Sequence, residues 1–137
     1  VPKFAEIKAG DALPERRYVP TNVSLFLYNA AIWNAHRIHY DEIYTKEVEK
    51  HPAVVVDGPL QGDWLIQAVL NWLGDDGELV EFEYSNRRAS YIGDTLVSGG
   101  RIESVDQDKR QAEFSLFVRV DGGEVTAPGR AVVRFRA

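Results

Sequence analysis

A chain of 137 residues, 45% hydrophobic and 27% charged, suits one folded domain and is too apolar to be dominated by disorder. The net charge of −5 offers no general attraction for nucleic acid, and the lack of cysteine rules out disulfides, thiolate metal sites and a cysteine nucleophile. No apolar run reaches the ~18–20 residues of a membrane-spanning helix, and the opening "VPKFAEIKAGDALPERR" has no secretion-signal centre, so a soluble protein is expected, with the cytoplasm as its compartment.

Gly10, Pro14 and Pro20 predict a loosely structured entry with one extended piece near "RRYVP". From Asn22, the cap candidates Thr21, Asn22 and Ser24 precede Leu25, Tyr28 and Ile32 at helical spacing, which predicts a helix. A second short helix is expected in "DEIYTKEVEKHP", ending at Pro52. "AVVVDGP" reads as a brief extended piece. The following stripe of Leu60, Trp64, Ala68 and Trp72, widened by Leu65, Val69 and Leu73, predicts a largely buried helix with Pro59 in its first turn and Gly74 at its end.

Beyond Gly77 the period changes to two. Val80, Phe82 and Tyr84, then the alternation from Ala112 to Val120, then Val133 and Phe135, mark strands separated by turns at "IGD", "VDQDK" and "VDGGE". About four antiparallel strands in a meander around one buried helix make an α+β domain, with residues 1–137 as a single unit.

"NAHRIHYD", "VVVDGPLQGDWLIQ" and "RRASYIGDTLVSGGRI", in that order, resemble the MaoC-like hot-dog hydratases and dehydratases. The similarity is greatest to their type 2 hydroxyacyl-thioester dehydratase branch, which includes mesaconyl-CoA hydratase-like proteins. The resemblance implies a long helix wrapped by a curved antiparallel sheet. It also implies reversible, R-specific hydration of an enoyl thioester, or dehydration of its 3-hydroxyacyl partner, on CoA or a carrier protein. A homodimer or larger hot-dog oligomer, or a heteromer, is expected with it. Two rival readings stand beside this one: a non-catalytic subunit completing a partner's acyl tunnel, and a hot-dog acyl-CoA thioesterase.

This chemistry needs a proton carrier, a group that manages water, and a donor for the thioester oxygen. The resemblance gives His39 the first role, and imidazole can carry a proton either way near neutral pH. Many relatives have Asp five residues earlier, where this chain has Asn34, which can orient water but cannot accept its proton. Asn34 is therefore assigned to positioning water, with a helix C-cap as its other role. Asp41 either holds the His39 tautomer or caps the next helix. Arg37 is expected in a structural ion pair and His36 in scaffolding.

Gly58 holds the family's oxyanion-donor position, and Asp57 stands where relatives often have His. Arg87 and Arg88 are candidates for substrate phosphates, Arg101 a weaker one, against the plainer reading of a solvated face. Trp64 is a candidate for the acyl tunnel as well as for the core. "HRIHYD" carries residue types that bind zinc or iron, but its spacing matches no recognised motif such as HExxH, so no metal and no cofactor are expected.

Overall fold

The structure is a computed structural model that describes residues 4–137. A three-residue strand β1 (Arg16–Tyr18) precedes helix α1 (Asn22–Ile32), short helix α2 (Glu42–Glu47) and long helix α3 (Gly58–Leu73). Strands β2 (Gly77–Tyr84), β3 (Leu96–Asp106), β4 (Gln111–Val120) and β5 (Val125–Phe135) complete the chain.

Local chemistry accounts for most element boundaries. Thr21 and Ser24 form a reciprocal capping box at the start of α1. Its end is a Schellman turn: Trp33 adopts a left-handed conformation (φ 58°), its N–H bonds Ala30 O, and the Asn34 N–H reaches back to Asn29 O at 3.0 Å. Asn34 therefore closes the helix through its backbone, while Trp33 occupies the strained position. Helix α2 stops at Glu47, well before Pro52, and Lys50 (φ 61°) turns the chain. Helix α3 has Pro59 in its first turn and ends at Gly74 (φ 60°), as its sequence predicts.

The five strands form one antiparallel sheet in the order β1-β3-β4-β5-β2. The expected meander holds for β3, β4 and β5, but β2 pairs with β5 at the far edge rather than with β3. Register shifts between Leu79 and Glu81 in β2 and between Ile102 and Ser104 in β3 bend the strands, which suits a sheet curled around a helix. Leu65, Val69 and Leu73 of α3 meet Phe114, Leu116, Val118, Ala131 and Val133 in the core, and Trp72 stands edge-on to Phe114 at 5.2 Å. This is the hot-dog arrangement.

Because β2 and β3 lie apart in the sheet, residues 85–95 must cross between them. The crossing segment bonds to the extended piece before α3: Val56 N–H donates to Ser90 O at 2.8 Å, and Ile92 N–H to Val54 O at 3.0 Å. That pairing closes one wall around the start of α3.

Candidate active site

His39 ends a single 3-10 turn, Arg37–His39, just after α1. His36 caps that turn by accepting the Ile38 N–H on Nδ1 (3.3 Å), and its ring centroid lies 5.8 Å from that of His39. Asn34 braces the same turn, its Oδ1 accepting the His36 N–H at 3.0 Å. Behind the turn, Val55 N–H donates to Ile38 O at 2.9 Å, tying it to the extended piece that leads into α3.

His39 is 8% exposed, and its Nδ1 lies 2.8 Å from Val55 O. A carbonyl can only accept, so Nδ1 carries the hydrogen and Nε2 keeps its lone pair. The sequence therefore fixes the tautomer through a backbone oxygen. Asp41 takes no part in it: one oxygen caps α2 through Tyr44 N–H at 3.0 Å, and the other pairs with the Arg37 guanidinium at 2.8 Å. Those bonds hold the Asp41 carboxyl below its ordinary value. The catalytic role considered for Asp41 finds no contact with His39, whereas the helix cap and the Arg37 ion pair are both present.

The carboxylate beside His39 is Asp57, fully buried, with Oδ1 3.6 Å from Nδ1. Asn29 Nδ2 donates to that oxygen at 3.0 Å and also to Leu25 O at 2.8 Å. Burial pushes the Asp57 carboxyl above its ordinary value, and the Asn29 hydrogen bond and the His39 ring oppose the shift.

His39 opens onto a cleft of about 330 Å³ whose walls include Val56, Gly58, Asn86, Arg87 and Arg88. The fold thus gathers His39, Gly58 and both predicted arginines. Gly58 is the first residue of α3, so its N–H has no intrahelical acceptor, and the positive end of the helix dipole lies at this wall. A side chain at Gly58 would collide with the Asn86 amide. Arg88 pairs with Glu124 at 2.6 Å, while Arg87 donates through Nε to Ser85 Oγ at 3.1 Å. Arg101 pairs with Glu103 at 2.9 Å and is not among the cleft residues.

Trp64 and Asn34 are not among the residues lining this cleft. Trp64 stacks on Tyr18 with ring centroids 4.3 Å apart and belongs to the core. Sequence reasoning overlooked Asn29, Asn86 and the buried Gln61, whose Oε1 accepts from Thr126 Oγ at 2.6 Å and whose Nε2 donates to Ser90 Oγ at 3.3 Å. Gln61 had a signal, a polar residue one step from an apolar stripe; Asn86 had none. Among the described residues, no group of three or more His, Asp or Glu is placed to hold a metal ion. No described helix is long and apolar enough to cross a membrane.

The sequence profile of "Hydroxyacyl-thioester dehydratase type 2" matches residues 3–92. A mesaconyl-C(4)-CoA hydratase from Chloroflexus aurantiacus is 49% identical over 45 residues, which are 33% of this chain and 16% of that protein. The chain therefore matches only a small part of that relative's length. Among solved structures, an (R)-hydratase from A. caviae involved in PHA biosynthesis superposes with a TM-score of 0.84 at 16% identity, covering 96% of this chain and 98% of its own. The ChsH1-ChsH2 complex from Mycobacterium tuberculosis gives 0.83 at 15% identity, covering 94% and 98%. At such identities these likenesses establish the shared hot-dog fold.

Proposed function

The chain belongs to the hydroxyacyl-thioester dehydratase type 2 family, and from that membership we propose that it is a hydro-lyase reversibly interconverting enoyl and 3-hydroxyacyl thioesters. The observation that carries this reading is His39: its Nδ1–H is anchored on Val55 O, and its ring lines the same cleft as the N-terminal glycine of α3. In hydration, Nε2 takes a proton from water as the oxygen bonds to C3, and then gives a proton to C2. In dehydration, Nε2 takes the C2 proton and returns it to the hydroxyl leaving C3. Either direction places negative charge on the thioester oxygen, where the Gly58 N–H and the α3 dipole are suited to receive it.

In this reading Asn34, which does not line the cleft, serves by bracing the turn that carries His39, its carbonyl oxygen accepting the His36 N–H. Arg87, with Arg88, supplies positive charge for a phosphate-bearing arm, which favours a CoA or carrier-protein thioester over a free acid. The fold shared with an (R)-hydratase supports an R-configured hydroxyacyl product. The proposed setting is cytoplasmic fatty acyl metabolism, with which a cysteine-free chain is compatible.

The working form proposed is a dimer or larger assembly, because α1 and α2 leave Val23, Phe26, Leu27, Trp33 and Ile43 exposed. The same face favours a second reading, in which this chain is one half of a heteromer, as the ChsH1-ChsH2 structure is a complex of two proteins. Purified protein given crotonyl-CoA and longer or branched enoyl-CoAs, with the conjugated thioester absorbance followed, tests the main proposal. Consumption of at least one substrate by a pure homo-oligomer supports it. No turnover on any substrate refutes it for the isolated chain, and turnover restored only by a partner protein establishes the second reading.

A further inference from the structure

A carboxylate at the N-terminus of a helix ordinarily turns an oxygen onto the free N–H groups of the first turn, a cap worth about 1 kcal/mol. Asp57 holds that position before α3 and makes no such bond. Its carboxylate points instead into the protein, where Asn29 grips Oδ1, and Oδ2 has no hydrogen-bond partner. A fully buried carboxylate that forgoes its cap and leaves an oxygen unsatisfied is costly to the fold. What stands next to it is the His39 ring, at 3.6 Å.

We propose that Asp57 is a positioning residue acting through His39, its carboxylate favouring the imidazolium that exists while Nε2 carries the transferred proton. This rests on the catalytic reading of His39 given above. The other candidates for the task are accounted for. Asn34 has no charge to offer, and Asp41 is spent on α2 and Arg37. Other titratable or charged groups near the pair are His36, at 5.8 Å between centroids, and Arg87 and Arg88, which line the same cleft and would disfavour a second positive charge, Arg88 being offset by Glu124; Tyr28 of α1 faces Asp57 as a neutral phenol, its ionisation disfavoured by burial and by Asp63. Asp57 is thus the one carboxylate within 4 Å of a His39 nitrogen among the described residues. At that distance an opposite charge favours the ionised form of its neighbour. Val55 O remains the acceptor for Nδ1–H, so the carboxylate acts by charge and leaves the tautomer unchanged.

Nuclear magnetic resonance of protein labelled in its histidine rings tests this without any substrate. Only three histidines need assignment. Asp57→Asn keeps an oxygen for the Asn29 amide and removes the charge; Asp57→Ser, being smaller, serves if the first variant does not fold. The midpoint at which the His39 ring takes up a proton should fall by about one pH unit or more. In the unmutated protein, the Asp57 carboxyl resonance should step together with the ring, as coupled groups do. On an enoyl-CoA that the parent converts, kcat should fall about a hundredfold with KM little changed, and the acid limb of kcat/KM should move to lower pH. An unmoved midpoint in a folded variant, or an Asp57 resonance that ignores the ring in the parent, overturns the proposal. A moved midpoint in a chain that converts no thioester supports the His39–Asp57 coupling and counts instead against the hydratase reading.

Discussion

Desolvation acts on Asp57 more strongly than Asn29 and His39 relieve it, so its proton is held more tightly in the folded chain than in the unfolded one. The sign for stability follows. A carboxyl raised on folding favours the folded state where it is protonated, and that contribution is lost as pH rises from the ordinary carboxylate value through the raised one. Asp57→Asn should therefore melt at a higher temperature than the parent near neutral pH, with the advantage shrinking as pH falls through about 4. Calorimetry at the two pH values checks this. A variant that is less stable at both would mean that Asp57 serves the fold. At this scale His39 was legible in the sequence because its motif is contiguous. Its partner was not, because Asp57 lies 18 positions away, and the aspartate nearer in sequence, Asp41, has a helix of its own to cap.

Among the elements, α1 is set by its ends more than by its faces. Only Leu25 and Asn29 are buried along it, so the Thr21–Ser24 box and the Trp33 turn define where it begins and where the His39 loop departs. Thr21→Ala should cost about 1 kcal/mol in denaturant unfolding and loosen the loop that carries His39. At the start of α3, Gly58→Ala would meet the amide end of the exposed Asn86 side chain, which can turn aside, so it should cost no more than about 0.5 kcal/mol, and Gly58→Ala with Asn86→Ala should recover it. If the double variant is no more stable than the single one, the Gly58–Asn86 contact is not what limits the site. The periodicity of two identified strands in β2, β4 and β5, and caps identified the helices. The partner of β2 was illegible, because alternation fixes which face a strand buries and says nothing about which neighbour it chooses. That choice sends residues 85–95 across the start of α3 and brings Asn86, Arg87 and Ser90 to the site.

For the whole molecule, the curled sheet buries α3, while α1, its cap and α2 leave Val23, Phe26, Leu27, Trp33 and Ile43 exposed, Trp33 at 94%. A patch of this kind is expected to be covered by another subunit. Light scattering should give at least twice the chain mass, and Phe26→Glu with Trp33→Glu should shift the population toward monomer. A parent that is monomeric at assay concentrations would contradict the assembly proposed here.

In the proposed reaction one imidazole, His39, does the proton transfers, and the residue five positions earlier is an amide. Steady-state hydration of an enoyl-CoA by the parent and by His39→Gln, at matched oligomeric state, measures that directly. His39→Gln should lose about a hundredfold or more in kcat. Turnover by the parent that survives the substitution unchanged would contradict it.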